Sequence, residues 1–357
     1  MGCEYYNKVA EQGYYIVAEI GVNYYEIAEK YSISVMDAAK LMIRKAKESG
    51  ADAVKFQTYK AENLVMVDSP GSWDRNDISI ETQYELFKLY DRFGENEYGE
   101  LCEYAKNTGI AFMSTPFDEE SADYLDKYMD VYKISSSDIS NIPLIRKIAE
   151  KNKPIILSIG ASDLEEIICA VNIIKAVNDK RLTLLHCVLE YPTPYEHANL
   201  EKICALKLAF PEAIIGYSDH TKPDQHMDVI KTAYVLGAQV IEKHFTLDKS
   251  IKKKNDHFHS MDCSDLQMIK TGLDFINKVK GSSELKCLES ERNTRNSVRR
   301  SAVSKCEIRQ GTLLTEDMII FKRPGNGLSP EQVQLILGKK AKCDIGADQL
   351  LANEQFE

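Results

Sequence analysis

Ala213-Ile214-Ile215-Gly216-Tyr217-Ser218-Asp219-His220-Thr221 and Gln239-Val240-Ile241-Glu242-Lys243-His244-Phe245-Thr246 decide how the fold is read. Each opens as a short apolar run bounded by turn signals and closes in a polar cluster. That is the pattern of a buried strand with chemistry at its C-terminal end. Neutral imidazole ligates divalent transition ions, so His220 and His244 on neighbouring strand ends could share one ion. Taken alone, the two histidines read more readily as ordinary residues, one near the surface and one in the core. Recurrence of the same pattern along the chain gives the pair its weight.

Working outward, eight buried-strand candidates occupy 15–21, 52–58, 110–115, 131–135, 154–159, 182–187, 213–217 and 239–245. Amphipathic stretches lie between them, among them 35–49, 121–128, 164–177 and 228–236. Ser162 with Glu165 and Ser264 with Gln267 read as capping boxes. Eight alternations of strand and helix over about 250 residues predict a (β/α)8 TIM barrel. The competing doubly wound sheet would carry a Gly-x-Gly-x-x-Gly turn after its first strand, and no such turn follows position 21.

In a barrel the site lies at the C-terminal strand ends. Those ends supply Glu19, Lys55, Gln57, Ser114, Thr115, Lys133, Ser136, Asp138, Ser158, Tyr191, Ser218, Asp219, His220, Glu242 and His244. Side chains alternate along a strand, so Lys55 shares a face with Gln57, and Glu242 with His244. Lysines with several hydroxyls suit a phosphate without a Walker loop. The connection 59–108 is unusually long; it holds the only tryptophan, Trp73, and the aromatic-rich 84–93. It reads as a lid, a partner contact or a packing insert.

Hydrophobic content of 44%, 28% charged residues and a net charge of −10 describe an ordinary globular chain. That charge argues against bulk affinity for nucleic acid or anionic membranes. Nine cysteines without a Cys-x-x-Cys pair predict reduced thiols. The N-terminal Met1-Gly2-Cys3-Glu4-Tyr5-Tyr6 lacks a basic, apolar leader, and no apolar run is long enough to span a bilayer. A cytoplasmic location is expected. After a helix at 265–280 the chain turns polar, which predicts a barrel over 1–280, a linker over 281–297 and a small domain over 298–357. The small domain has strand-like runs at 301–303 and 318–321, a turn at Arg309-Gln310-Gly311, a capped helix start at Ser329-Pro330-Glu331-Gln332 and a loop, Lys322-Arg323-Pro324-Gly325-Asn326-Gly327.

Together Ala18-Glu19-Ile20-Gly21-Val22-Asn23, Lys55-Phe56-Gln57-Thr58, Ser114-Thr115-Pro116-Phe117, Tyr191-Pro192-Thr193-Pro194-Tyr195, Ser218-Asp219-His220-Thr221, Glu242-Lys243-His244-Phe245-Thr246 and the 322–327 loop resemble the sialic acid synthase family over nearly the whole chain. The resemblance implies a TIM barrel followed by an antifreeze-like (SAF) domain, assembled as a domain-swapped homodimer. It implies condensation of phosphoenolpyruvate with an N-acetylated amino hexose to a nine-carbon 2-keto sugar acid plus phosphate. By the same resemblance His220 and His244 bind a divalent metal, Mn or Mg. Lys55, Thr115, Lys133, Ser136, Ser158 and Ser218 hold phosphoenolpyruvate. Glu19, Gln57, Asp138, Tyr191 and Asp256 face the sugar, with Glu19, Asp138 and Asp256 as the catalytic carboxylates. Arg323 reaches the sugar's acetamido group in the partner subunit.

Some residues depart from the family's pattern. Tyr24 stands where a histidine is common, Leu189 where a polar residue is usual, and Lys252-Lys253-Lys254-Asn255 replaces the usual Gly-Pro before Asp256. Tyr24 and Leu189 predict a more apolar sugar pocket. Three rival functions stay open: a Schiff-base aldolase using Lys133 or Lys55, a phosphoenolpyruvate aldol synthase for a phosphorylated sugar gripped by 252–254, and a non-catalytic sugar-binding protein.

Overall fold

A computed structural model describes residues 4–71, 80–251 and 256–357, and the chain divides into two units, 1–281 and 282–357. In the first, eight parallel strands follow one another: β1 (Tyr15–Gly21), β2 (Ala53–Thr58), β3 (Ala111–Pro116), β4 (Tyr132–Ile134), β5 (Ile155–Ser158), β6 (Thr183–His186), β7 (Ile214–Asp219) and β8 (Val240–His244). β1 pairs with both β2 and β8, so the sheet curls on itself, and β3 and β4 lie side by side at the seam. The unit is a (β/α)8 barrel, as the alternation predicts.

Strand alternation builds the interior. Val17, Ala53, Met113, Val131, Ile156, Leu185, Ile214 and Val240 point inward and form one apolar cluster with Tyr15. Helix α1 (Glu4–Gln12) covers that end by adding Tyr5 and Val9, and the Tyr5 hydroxyl lies 2.7 Å from Thr183 Oγ1. Two residues further along the same strands the inward positions become Glu19, Lys55, Thr115, Lys133, Ser158, Cys187 and Glu242. On β7 this step is Gly216, where a Cβ would stand 2.4 Å from both Leu185 Cδ2 and the Val240 carbonyl oxygen. No other residue fits there without moving backbone. The outward positions, such as Ile16, Ala18, Val54, Phe56, Leu184 and Ile241, join the larger core beneath the helices.

The helices start and stop for local reasons. In Val35–Ser49 the Ser34 hydroxyl accepts the Asp37 N–H at 3.0 Å, and Gly50 ends the helix in the left-handed region at φ 102°. Ala38, Ala39, Met42, Ile43 and Ala46 bury the face between. Both predicted capping boxes are corrected. Ser162 gives its hydroxyl to the Gly160 carbonyl, so Leu164–Val177 is capped at Asp163, whose N–H donates to Glu166. At the other, Asp262 accepts from the Ser264 and Asp265 amides, starting the helix at Cys263–Lys280. The expected helix at 121–128 runs as Glu119–Leu125, because Asp118 caps it through the Ser121 amide.

Described parts of the long connection are helices Ala61–Leu64, Gln83–Lys88 and Glu95–Thr108. Tyr90, Phe93 and Tyr98 are buried and pack with Tyr24 and Tyr25, so this aromatic stretch is core. Trp73 lies outside the described residues, as do Met1 to Cys3 and Lys252 to Lys254. Tyr24 is fully buried, with its ring stacked 4.5 Å from that of Tyr25. It therefore does not line a sugar pocket, contrary to the expectation, because its helix (Tyr24–Tyr31) turns that face into the core. Among the described residues no helix is long and apolar enough to cross a membrane, and the eight described cysteines are free thiols.

The second unit has its own small core of Ala302, Ile308, Leu314, Val333, Ile336, Ala341, Ile345, Leu351 and Phe356. β9 (Ser301–Ser304) and β10 (Ile319–Lys322) form its antiparallel pair. Pro330–Leu335 is a 3-10 helix, its entry fixed by Gln332 accepting the Ser329 N–H at 3.0 Å. The expected linker is not uniformly extended, since Arg292–Val298 is helical. The loop after β10 is pinned to that segment: Ser301 Oγ donates to the Pro324 carbonyl at 2.7 Å, and the Gly325 N–H to that of Asn296 at 2.6 Å. Arg323 is exposed on this loop.

Candidate active site

At the C-terminal strand ends an open cleft brings together eleven of the fourteen residues singled out from the sequence. Glu19, Lys55, Gln57, Thr115, Lys133, Ser136, Ser158, Tyr191, Ser218, His220 and His244 all line it. Asp138 does not. It sits on the 3-10 turn Ser136–Asp138, where the Asn141 amide and the Ser137 hydroxyl donate to its carboxylate. Asp256 lies just beyond the lining, with Oδ2 3.5 Å from His244 Nδ1. Arg323 belongs to the other unit.

Buried charges organise the floor of the cleft. Lys55 Nζ lies 2.6 Å from Glu19 Oε2 and 3.7 Å from Glu242 Oε1, and it donates to Thr115 Oγ1 at 3.1 Å. Lys133 Nζ is 3.6 Å from the same Glu242 oxygen, which also accepts the Ser218 hydroxyl at 3.0 Å. Glu242 is thus the hub of both lysines. Its strand-end position was visible in the sequence, but its role as their shared counter-ion was not. The parity it shares with His244 was the available signal. Asp219, by contrast, points away from the cleft and pairs with Lys243 at 2.7 Å inside the wall.

The two carboxyls are driven in opposite directions. Burial raises the pKa of Glu19, an effect that Lys55 and the 2.9 Å hydrogen bond from Gln57 only partly offset. Burial also opposes the charge of Glu242, but Lys133 and Lys55 outweigh it and hold its pKa below the usual value. Lys133 is depressed by burial, while Lys55 is held up by Glu19 and Glu242 despite its own burial. One carboxyl is thereby poised to exchange a proton and the other to stay ionised.

The histidines form a second cluster on the rim. His220 Nδ1 is 2.7 Å from the Val188 carbonyl, which fixes that nitrogen as the N–H and leaves Nε2 as the lone-pair donor. Burial lowers its pKa to about 4 and drives His244 well below the usual imidazole range, so both imidazoles are neutral at neutral pH. The Tyr191 ring packs 4.3 Å from that of His220. The donor group that converges most tightly, however, is His244, Asp256 and His259, whose ligand atoms all lie within 4.8 Å of one another. His220 is outside that triad, with its ring 5.7 Å from that of His244. His259 was missed from the sequence. Its only signal was the Asp256-His257-Phe258-His259 turn shortly after β8. The Met261 N–H donates to the His244 carbonyl at 2.8 Å, and this sews the turn over the strand end.

A barrel with two buried lysines, strand-end hydroxyls and a histidine–carboxylate group on its rim defines an anion-handling enzyme site with a place for a divalent ion. The comparisons narrow this class to one family. Residues 42–285 match the NeuB family and residues 299–357 the SAF domain, and the chain belongs to the NeuB family. It is 38% identical over 341 residues to an N,N'-diacetyllegionaminic acid synthase of Campylobacter jejuni, covering 94% of this chain and 98% of that one. It is 36% identical over 350 residues to the protein of the same name from Legionella pneumophila, with 96% and 94% covered. Among solved structures, a putative spore coat polysaccharide biosynthesis protein E from Chromobacterium violaceum superposes with a TM-score of 0.79 at 26% identity, over 96% of this chain and 99% of that one.

Proposed function

We propose that the protein condenses phosphoenolpyruvate with an N-acetylated amino hexose, giving a nine-carbon 2-keto sugar acid and phosphate. The observation that carries this reading is the placement of Lys55 and Lys133, both buried, among Thr115, Ser136, Ser158 and Ser218, a cradle for a phosphate ester at the edge of the histidine cluster. Relatives named as diacetyllegionaminic acid synthases support a sugar of the 6-deoxy di-acetamido type.

The donor set suits a divalent ion: His244 Nδ1 and both ring nitrogens of His259 are buried without a hydrogen-bond partner, and His220 keeps Nε2 free for ligation. His220, His244 and their neighbours would hold Mn or Mg. When bound, the ion supplies a Lewis acid for the sugar's open-chain aldehyde. The protein groups do the rest. Lys55, Lys133 and the hydroxyls hold the phosphoenolpyruvate so that its C3 forms the new bond to the aldehyde carbon. Glu19, oriented by Gln57, takes a proton from the water whose oxygen bonds to C2. The bridging C–O bond then breaks, and phosphate leaves into the lysine pair. Glu242 stays ionised throughout and spaces the two ammonium groups.

Asp138 and Asp256 would serve the sugar from the rim, and Arg323 would reach its acetamido group from the partner of a domain-swapped homodimer. In that reading the chain is a barrel over 1–280, a linker over 281–297 and a domain over 298–357. A cytoplasmic location accords with phosphoenolpyruvate as substrate. The test is incubation with phosphoenolpyruvate, Mn and a panel of N-acetylated amino sugars. Phosphate release should depend on a sugar, be highest with the 6-deoxy di-acetamido hexose, and carry no bridging-oxygen label into the sugar acid. Phosphate release with no sugar in the panel, or label retained in the product, would sink the reading.

A further inference from the structure

His259 is fully buried, yet neither of its ring nitrogens has a hydrogen-bond partner. One of them must carry a proton and the other a lone pair, so both are polar atoms removed from water with nothing to satisfy them. Asp256 Oδ1 is 3.7 Å from Nε2, too far for a hydrogen bond. Its neighbour on the same turn is placed quite differently. His257 Nδ1 meets Thr246 Oγ1 at 2.6 Å, and its Nε2 lies 3.1 Å from Glu26 Oε2. The turn therefore gives His257 a hydrogen bond at Nδ1 and a carboxylate oxygen 3.1 Å from Nε2, and leaves His259 with neither, beside His244 and Asp256.

The geometry points to His259 as a third imidazole ligand of the ion, joining His220, His244 and one oxygen of Asp256 in a single nitrogen-rich set that prefers Mn2+ to Mg2+. This rests on the function proposed above and names a ligand and a metal preference for that same site. Two imidazoles on one ion, with nitrogens about 2.1 Å from it, keep their ring centres within about 6.5 Å. The rings of His244 and His259 are 5.0 Å apart, those of His220 and His244 5.7 Å, and those of His220 and His259 6.4 Å. The His244–His259 pair falls well inside that limit, whereas His220, 5.7 and 6.4 Å from the other two rings, joins the set by a small shift toward them. Asp256 reaches toward both members of the closest pair, 3.5 Å from His244 Nδ1 through Oδ2 and 3.7 Å from His259 Nε2 through Oδ1. Mg2+ is a hard ion that keeps oxygen ligands and waters, whereas imidazole binds first-row transition ions. A site with three imidazoles and one carboxylate should therefore discriminate, where one or two nitrogens would do so weakly.

Metal binding tests this without reference to turnover. The free Mn2+ electron-resonance signal gives Kd for Mn2+, and competition gives Kd for Mg2+, in the wild type, His259→Ala and His259→Gln. The expected result is a wild-type preference for Mn2+ of at least a hundredfold. In both variants that preference should shrink at least tenfold, mostly through weaker Mn2+ binding. Equal Mn2+ affinity in folded variants, or equal weakening of both ions, would overturn the proposal. Because the residue is buried, the variants could fail to fold. Pulsed electron resonance of the Mn2+-loaded wild type then decides, with three directly bonded imidazole nitrogens expected and two or fewer overturning it. Failure here with sugar-dependent phosphate release intact would leave the synthase reading standing. Three bound imidazoles with no phosphate release would sink the synthase reading alone.

Discussion

At one end the barrel interior is closed by Tyr5, Val9 and Tyr15; two steps along the same strands it holds Glu19, Lys55, Lys133 and Glu242. Both layers are buried and both point inward, so burial alone does not separate scaffold from site. The apolar layer gains its stability from removing hydrocarbon from water, and each of its members can be replaced at a cost set by lost volume. The charged layer depends on its members being paired, because a buried charge left without its partner is penalised at least as heavily as a cavity. The same backbone thus carries one layer that tolerates exchange and one that does not.

The sharpest way to break this comparison is in the charged layer. Glu19→Gln keeps the size of the side chain and removes the proton acceptor. It should lower kcat by about 10³-fold while phosphoenolpyruvate still protects the protein against thermal unfolding. Retention of more than a tenth of the activity would remove Glu19 from the chemistry. In the apolar layer Ile156→Ala should do the reverse. A loss of about 3 kcal/mol in denaturant unfolding is expected, with kcat within about twofold of wild type. A large loss of kcat at unchanged stability would mean that the two layers are not separable.

A smaller effect distinguishes the ends by titration. The imidazoles of His220, His244 and His259 are all depressed by burial, so below an ordinary pKa of 6.5 the unfolded chain takes up protons that the folded chain refuses. Stability is therefore lost as pH falls from 6.5 toward the folded values. Asp256 works in the opposite sense, since burial followed by Glu19 and Glu26 raises it to about 7, and the folded state gains a proton first. Three groups outweigh one, and metal-free protein should lose on the order of 2 kcal/mol between pH 7 and 5.5. Urea melts at the two pH values measure it. No loss, or a gain, would mean that these histidines are not held neutral.

Most of the barrel was legible because each strand is a short apolar run ending in a polar group, and this alternation survives without tertiary information. Eleven candidate residues at or just past the strand ends line the cleft; parity along a strand accounts for those on the strands, while Ser136, Tyr191 and His220 stand on the segments that follow. What escaped depends on contacts between distant segments. Whether Ser162 or Asp163 caps a helix is settled by the Gly160 carbonyl that claims the serine hydroxyl. Tyr24 reads as a pocket residue because it stands where the family commonly has a histidine, but its ring is held by Tyr25, Phe56 and Phe93. His259 stands on a 3-10 turn with no periodicity to read, and only the folding of that turn over β8 brings it to His244.

Gly216 limits how this pocket can diversify. A methyl group there would stand 2.4 Å from a carbonyl oxygen of β8, an obstacle that no side-chain rotation relieves. Gly160 is nearly as confined, with Cys187 Sγ 2.7 Å and Leu189 Cγ 3.1 Å from the position of its missing Cβ. A side chain at Gly216 requires a backbone shift, and one at Gly160 requires Cys187, Leu189 and Ser136 to move. Heritable variation in substrate choice is thereby channelled to the rim, where Leu189 and Tyr191 are 38% and 46% exposed and can change without disturbing the strands beneath.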